Sequence, residues 1–218
     1  MTIKGAIFDL DGVIVNTVPL HFKAWKRMFE EYGHPFTMED YLKKVDGRPR
    51  LEGAAAILPE LSPEEIKRAG EIKQSYYLEL LEKESIEIFA SSVKILKELK
   101  AKGVKLAAAS SSKNAVRILK KIDLYDIFDA NVSGADFEKG KPDPEIFFTA
   151  ASKLRLKPEE CIVFEDAKSG VEAAIRGGFH CIAIDRHRNP GALAKANKIV
   201  KDLNELSLDE ILNIAKRS

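Results

Sequence analysis

The sequence predicts an α/β fold, namely a doubly wound, Rossmann-like parallel sheet with an all-helical segment inserted after the first strand. From about residue 90 onward, short apolar runs alternate with helical patterns, which is typical of βαβ units and a parallel sheet. A further buried-looking apolar run covers residues 3–10 and belongs to the same sheet by its composition. Only helical patterns separate this run from the alternating part, so we interpret the helical segment as an insertion.

The individual elements follow from local pattern and from the residues that begin and end them. The predicted strands cover residues 3–10, 104–109, 130–133, 161–164 and 180–184. The predicted helices cover residues 20–32, 39–45, 51–58 and 63–84 in the insertion, and 93–100, 112–122, 144–154 and 169–176 in the alternating part. The helix at 63–84 has the clearest start, because Ser62 is a favourable N-cap and Pro63 suits the first position. We expect residues 1–15 and 90–218 to form the core domain and residues 16–89 to form a helical cap domain.

Composition limits the classes of partner. The 218 residues are 45% hydrophobic, which is enough for a sizeable core, and Lys+Arg and Asp+Glu number 35 and 34. This balance argues against a nucleic-acid partner, which requires a basic face. No leader pattern and no apolar run of membrane-spanning length is present in the sequence, so we expect a cytoplasmic protein with no membrane partner. A monomeric state is a separate expectation. Cys161 and Cys181 each lie in an apolar run and are expected to be buried free thiols.

Two carboxylates follow the first strand. Asp9 and Asp11 lie two residues apart and Gly12 comes next. Because residues two apart on a strand point the same way, we expect both side chains to converge at the carboxyl end of this strand, where ligands bind in open α/β sheets. Mg²⁺ prefers such carboxylate ligands, and an aspartate can also act as a nucleophile that forms an aspartyl-phosphate. The alternative is a simple Asp-Gly turn with Asp9 as a cap.

A serine-rich segment follows the predicted strand at 104–109. It consists of Ser110, Ser111, Ser112, Lys113 and Asn114. A serine between a strand and a helix can offer its hydroxyl group and backbone N–H groups to a phosphate. Ser112 alone could equally be an N-cap for the next helix.

Two further groups complete a set of polar residues at predicted strand ends. Lys141 lies between Gly140 and Pro142, on a loop that the proline stiffens, and its ammonium group can neutralise a phosphate. A solvated loop lysine is the alternative. Glu165 and Asp166 end the strand at 161–164 and could complete a metal site, although a surface turn is the alternative for this pair taken alone. Together these residues offer the nucleophile, metal ligands, hydrogen-bond donors and cation that phosphoryl transfer requires.

The chain resembles the haloacid-dehalogenase-like superfamily of aspartyl phosphotransferases over nearly its whole length, through the motif that begins at Asp9 and through the later strand-end residues. The resemblance implies that Asp9 is the nucleophile and a Mg²⁺ ligand, and that Asp11 is the general acid/base and gives a backbone carbonyl to the metal. It implies that Ser110, Ser111 and Lys141 bind the phosphoryl group, and that Glu165 and Asp166 complete the metal shell. Dehalogenases of the superfamily need neither the second aspartate nor the metal, so Asp11 argues against dehalogenation.

Within the superfamily the chain is similar to the β-phosphoglucomutases, both in the helical segment and in the serine-rich segment. The residues that carry this likeness are His21 and Trp25, the loop with Gly47 and Arg50, Lys73, and the segment Ser112, Lys113 and Asn114. The likeness implies that these residues contact a phosphorylated sugar, with Arg50 on its distal phosphate and Lys73 on the sugar. A structural histidine on an amphipathic helix is the alternative for His21. The residues 88–93 lack the Pro-Gly pair that is common in relatives, and Ala167 stands where serine is frequent.

Three functions therefore remain open at the level of sequence. The first is Mg²⁺-dependent interconversion of β-glucose 1-phosphate and glucose 6-phosphate. The second is a sugar-phosphate phosphatase of the same chemistry, in which water takes the phosphoryl group. The third is a non-catalytic phosphate-binding or regulatory protein. Such a protein would not need all five of the residues Asp9, Asp11, Ser110, Lys141 and Asp166. Arg50 favours the first function, because a sugar bisphosphate has a second phosphate to be held and the guanidinium fork suits it.

Overall fold

The computed structural model of the protein describes residues 2–46, 48–186 and 188–216. The chain divides into two compact units, one made of Met1–Asn16 with Glu87–Ser218 and the other of Thr17–Ile86. This division differs from the sequence-based ranges at residues 16 and 87–89. The reason is local, because Val15–Asn16 and Glu87–Ile88 pair as two short antiparallel strands within the first unit.

The first unit is built on a parallel sheet. The strands are β1 (Gly5–Phe8), β2 (Val15–Asn16), β3 (Glu87–Ile88), β4 (Lys105–Ala109), β5 (Ala130–Val132), β6 (Cys161–Glu165), β7 (His180–Ile184) and β8 (Lys198–Val200). Six of them form one sheet in the order β5-β4-β1-β6-β7-β8, and all neighbours in it are parallel. The sheet confirms the predicted doubly wound α/β fold.

The helices cover the sheet in the first unit and make up the second unit. They are α1 (Val18–Glu31), α2 (Met38–Asp40), α3 (Arg50–Ala55) and α4 (Pro63–Lys83) in the second unit, and α5 (Ala90–Ala101), α6 (Ala115–Lys121), α7 (Glu145–Leu154), α8 (Lys168–Arg176) and α9 (Leu208–Leu212) in the first. The predicted start of α4 is confirmed, since Ser62 accepts a hydrogen bond from the Glu65 N–H and the Glu65 carboxylate accepts one from the Ser62 N–H. A π-helical turn, Tyr41–Val45, directly continues α2.

The order of the strands determines where a ligand can bind. From β1 the chain passes to β4 and β5 on one side, and then returns to β6, β7 and β8 on the other. The residue pairs Phe8–Ala108 and Phe8–Phe164 align the ends of β1, β4 and β6. The carboxyl ends of these three strands therefore meet at the topological switch point of the sheet, where open α/β proteins bind their ligands.

Each unit has its own apolar core. The first unit packs α7 and α8 against the sheet around residues such as Ile7, Val163 and Phe147, all of which are fully buried. The second unit packs α1 against α4, with Met28 and Phe29 in its core. Cys161 and Cys181 are buried free thiols, as predicted, and burial raises the pKa of each. Among the residues that the structure describes, no helix is both long and apolar enough to cross a bilayer.

Candidate active site

Asp9, Ser110 and Glu165 lie at the ends of three adjacent strands. Asp9 directly follows β1, and its N–H donates to the Phe164 carbonyl at 3.0 Å. Ser110 directly follows β4, and its N–H donates to the Val132 carbonyl at 3.0 Å. Glu165 is the last residue of β6. Because the backbone of each residue is tied to the neighbouring strand, the sheet itself fixes these three side chains at the switch point.

Lys141 reaches the same place from the loop after β5. Its Nζ lies 2.8 Å from Asp9 Oδ1 and 2.6 Å from Glu165 Oε1. The Lys141 side chain is only 9% exposed and that of Glu165 1%, so this is a buried ion pair and not a solvated loop lysine. Burial alone would lower the pKa of Lys141, but the carboxylates of Asp9 and Glu165 outweigh it and hold the pKa well above its usual value. Lys141 is therefore a permanent cation.

Three carboxylates form a compact group beside this lysine. Asp9, Glu165 and Asp166 each have an oxygen within 4.8 Å of the others. Burial, together with the charges of Glu165 and Asp11, outweighs the opposing effect of Lys141 and raises the pKa of Asp9 to about 7. Burial, followed by the charges of Glu165 and Asp9, also raises the pKa of Asp166 well above its usual value. Fully ionised, these carboxylates would carry more negative charge than one lysine neutralises.

The donor set of this cluster fits a hard divalent cation. Carboxylate oxygens at short mutual distance are the ligands that Mg²⁺ accepts, and an added positive charge would offset the repulsion that raises the pKa values of Asp9 and Asp166. Glu165 is held most firmly, since its Oε2 accepts hydrogen bonds from the Asp166 and Ala167 N–H groups at 2.7 and 3.0 Å. Gly170 allows that position, because a Cβ there would lie 1.8 Å from Glu165 Oε1.

Asp11 is placed by a turn and not by the strand. β1 ends at Phe8, so strand alternation does not extend to Asp11. The expectation that Asp9 and Asp11 lie on one face of a strand was therefore wrong. The chain turns back instead, with the Gly12 N–H donating to the Val15 carbonyl at 2.8 Å and Gly12 at a φ of 75°. The charge of Asp11 still raises the pKa of Asp9, so its carboxylate lies near the cluster without belonging to the three-carboxylate group.

The serine-rich segment forms two successive hydroxyl-capped turns. Ser110 is buried and its Oγ accepts a hydrogen bond from the Ser112 N–H at 3.0 Å. Ser112 Oγ in turn accepts from the Asn114 N–H at 3.1 Å. Asn114 is the N-cap residue of α6, so the alternative in which Ser112 caps that helix is wrong. Because Ser110 Oγ accepts from inside the loop, its own proton remains to donate to a ligand.

The loop after β5 supports this segment through a glycine. The Gly134 N–H donates to the Ser112 carbonyl at 3.3 Å, and a Cβ on Gly134 would lie 2.2 Å from the Ser111 carbonyl oxygen. Ser111 and Lys113 are exposed on the segment. The sequence reasoning missed Gly134, since a single glycine after a strand carries no indication of which backbone it approaches.

In the second unit, a buried lysine lies among aromatic side chains. Lys73 is 4% exposed and its Nζ lies 2.8 Å from His21 Nδ1. Nζ is also 5.0 Å from the Trp25 ring centroid and 4.9 Å from that of Tyr77, and the His21 ring stacks on Tyr77 at 4.2 Å. Burial, and next the charge of Lys73, holds the pKa of His21 well below its usual value. His21 is therefore neutral, and because a charged lysine only donates, Nδ1 accepts and Nε2 carries the proton.

Arg50 occupies the first position of α3 and is exposed. Its guanidinium donates to Gln74 Oε1 at 2.8 Å, and its Nε would lie 3.5 Å from a Cβ on Gly70. The structure thus places Arg50 beside α4, the helix that also carries Lys73. Gly47, the other residue predicted from this loop, lies outside the described residues.

Comparison with known proteins shows the family to which the chain belongs. Residues 6–184 match the family model described as haloacid dehalogenase-like hydrolase. The chain belongs to this family. As a member it is an enzyme, and the superfamily resemblance stated from the motifs is confirmed.

Two curated relatives and one solved structure are similar over nearly the full length. The chain is 37% identical to a phosphorylated carbohydrates phosphatase of Thermotoga maritima, with 98% of each chain covered. It is 33% identical to a β-phosphoglucomutase of Bacillus subtilis, and the match covers 94% of this chain and 92% of the relative. The crystal structure of a β-phosphoglucomutase from Clostridium difficile matches with a TM-score of 0.84 at 30% identity, over 99% of this chain and 98% of that one.

Proposed function

We propose that this enzyme transfers a phosphoryl group of a sugar phosphate through the carboxylate of Asp9, as a β-phosphoglucomutase. The observation that carries the proposal is the buried contact of Asp9 with Lys141, 2.8 Å long, at the switch point of the sheet. A carboxylate held there beside a permanent cation is oriented to attack a phosphorus atom, and the same cation attracts the dianionic phosphate.

The neighbouring side chains suit the other roles in phosphoryl transfer. Lys141 has three N–H donors, and its contacts with Asp9 and Glu165 leave one for a phosphoryl oxygen. Ser110 donates its hydroxyl proton to another phosphoryl oxygen. Asp11 protonates the oxygen of the departing sugar and afterwards accepts the proton of the hydroxyl group that attacks phospho-Asp9. These roles agree with those that the family resemblance implies.

Mg²⁺ is the cofactor that we propose for the acidic cluster. The carboxylates of Asp9 and Asp166 and the backbone carbonyl of Asp11 would hold it, with Glu165 completing the shell. When bound, the ion supplies positive charge that offsets the charges of the carboxylates and the phosphate.

The second unit would supply the contacts to the sugar as a cap domain. Lys73 would offer its ammonium group to sugar hydroxyl groups, and the neutral His21 has an Nε2–H group to donate. Trp25 is 4% exposed and lies in the apolar core of this unit, so it would support Lys73 and not stack on the sugar ring. Arg50 would bind the second phosphate of a sugar bisphosphate, together with Gly47. Ser112, Lys113 and Asn114 of the first unit remain candidates for further substrate contacts. A monomeric state and a cytoplasmic location stay predictions from the sequence.

A phosphatase is the second candidate function, and the similarity to the Thermotoga maritima phosphatase favours it. Both functions share the first step, in which Asp9 attacks phosphorus and the sugar leaves. They differ in the second step, in which either a sugar hydroxyl or water takes the phosphoryl group.

A product assay separates the two functions. The protein is incubated with β-glucose 1-phosphate, Mg²⁺ and a trace of β-glucose 1,6-bisphosphate, and glucose 6-phosphate and free phosphate are followed together. The mutase proposal predicts glucose 6-phosphate in large excess over free phosphate. Free phosphate alone would replace it with the phosphatase, and neither product would exclude glucose phosphates as substrates.

Arg50→Ala tests the distal phosphate contact. We expect mutase turnover to fall about 100-fold, because two charge-assisted hydrogen bonds to a phosphate are lost. Hydrolysis of 4-nitrophenyl phosphate, which has no second phosphate, is expected to stay within about threefold of the parent enzyme. The matched control is Arg68→Ala, which removes an exposed arginine of α4 and leaves both rates unchanged. Unchanged mutase turnover in Arg50→Ala would overturn the contact.

A further inference from the structure

We propose that Arg186 is a positioning residue, which holds the turn after β1 so that Asp11 can transfer its proton. Its Nε donates to the Gly12 carbonyl oxygen at 2.9 Å. Arg186 follows β7, far along the chain from the turn, and no motif of the sequence points to it. The inference rests on the proposed function, since it concerns the acid/base role of Asp11.

The two peptide groups that flank Gly12 each make a hydrogen bond. The Gly12 N–H, in the peptide that carries the Asp11 carbonyl, donates to the Val15 carbonyl inside the turn. The Gly12 carbonyl, in the next peptide, accepts from Arg186. Gly12 adopts a left-handed φ of 75°. Because glycine has no Cβ, its backbone is intrinsically flexible and is restricted mainly by the hydrogen bonds of its peptide groups. The orientation of Asp11 therefore depends on the arginine.

The backbone of the turn lies against the acidic cluster. A Cβ on Gly12 would lie 1.9 Å from Asp166 Oδ2, so the Gly12 backbone directly faces the acidic cluster. If the turn moved, both the approach of Asp11 and the spacing to Asp166 would change. Displacements of about 1 Å in a reacting group can cost about 100-fold in rate.

Arg186 is itself held in place by other segments of the first unit. Its guanidinium carbon lies 3.7 Å from the centroid of the Phe89 ring, and its Nη1 lies 3.7 Å from Asp202 Oδ2. Asp202 Oδ2 also accepts from the buried Ser91 hydroxyl at 2.8 Å. The Arg186 side chain is only 18% exposed, unlike that of an arginine that serves solubility alone.

The segment that carries Phe89 supports the same turn. The Phe89 N–H donates to the Ile14 carbonyl at 2.9 Å, and the buried Ser92 hydroxyl donates to the Val13 carbonyl. Three consecutive carbonyls of the turn, at Gly12, Val13 and Ile14, are thus satisfied from one side by Arg186 and the start of α5. Arg186 completes the set of hydrogen bonds that holds this turn, and the turn in turn fixes the position of Asp11.

The dependence of rate on the leaving group tests the proposal. A general acid matters for a poor leaving group such as phenoxide and little for 4-nitrophenoxide, so kcat/KM is measured for phenyl phosphate and 4-nitrophenyl phosphate with Mg²⁺. For Arg186→Gln we expect kcat/KM to fall about 30-fold on phenyl phosphate and only about threefold on 4-nitrophenyl phosphate. Asp11→Asn serves as the reference and is expected to shift the ratio in the same direction and further.

The control is Arg155→Gln, an exposed arginine after α7, which should leave both rates unchanged. If Arg186→Gln does not fold, Arg186→Lys keeps the charge but loses the planar fork and is expected to shift the ratio in the same direction. Equal losses on both esters, or no loss, would overturn the positioning role. A ratio unchanged in Asp11→Asn would instead refute the acid/base role that the proposed function gives to Asp11.

Discussion

Replacement of Asp9 by asparagine is expected to abolish turnover, with kcat/KM on any phosphate ester falling by about 10⁴-fold or more. The amide cannot form the acyl phosphate, while its size and position are almost those of the carboxylate. Initial rates on 4-nitrophenyl phosphate with Mg²⁺ provide the measurement, because this ester reports the first step without requiring the correct sugar.

The stability of Asp9→Asn distinguishes lost chemistry from lost structure. Burial raises the pKa of Asp9 to about 7, above its usual value, so ionisation of this group opposes folding as the pH rises towards 7. A neutral asparagine removes that cost, and the Tm in chelator near neutral pH is expected to be no lower than in the parent enzyme. Asp126→Asn, an exposed change in the same unit, should leave both rate and Tm unchanged. Substantial turnover in Asp9→Asn would show that the nucleophile lies elsewhere.

Replacement of Lys141 by alanine is expected to reduce kcat/KM by about 10²–10³-fold and to destabilise the fold as well. The loss of activity follows from removal of a preorganised cation at the phosphoryl group. The loss of stability follows because Asp9 and Glu165 would remain buried without the charge that lies 2.8 and 2.6 Å from them. Breaking such a buried pair costs about 3–5 kcal/mol.

The effect of Mg²⁺ on Lys141→Ala gives a second readout of the same cluster. If the three carboxylates bind a divalent cation, the ion replaces part of the missing charge, and Mg²⁺ should raise the Tm of the variant more than that of the parent enzyme. Lys139→Ala, on the same loop and exposed, is the matched control. A Tm unaffected by Lys141→Ala, or an equal response of both proteins to Mg²⁺, would contradict this account of the cluster.

The sheet and the strand-end residues could be predicted from sequence because both depend on local pattern. Strongly apolar runs such as 161–164 have few alternatives to a buried parallel strand, and Asp9, Ser110 and Glu165 lie at or directly after strand ends. Parallel strands bring such residues to one edge of the sheet whatever the details of the loops. For that reason the α/β fold and the proximity of Asp9 to Glu165 follow from the sequence.

Other features depend on contacts that no local pattern encodes. The strands β2, β3 and β8 were missed. β2 and β3 have two residues each, too few to show an alternation, and β8 has only two apolar residues after Lys198. The start of α6 was placed three residues early, at Ser112, because the hydroxyl-capped turns of Ser110 and Ser112 resemble a helix start in sequence. The contact of Arg186 with Gly12 joins residues far apart in the chain, and a lone arginine after a strand gives no indication of it.

The most direct test of the central claim is chemical trapping of phospho-Asp9. The parent enzyme is mixed with β-glucose 1-phosphate and Mg²⁺, quenched during turnover, reduced with borohydride so that an acyl phosphate becomes an alcohol, and mapped by peptide mass. We predict that the aspartate converted to homoserine is Asp9, and that the conversion requires the sugar phosphate. Conversion at another residue, or none in an enzyme that is turning over its substrate, would contradict the account.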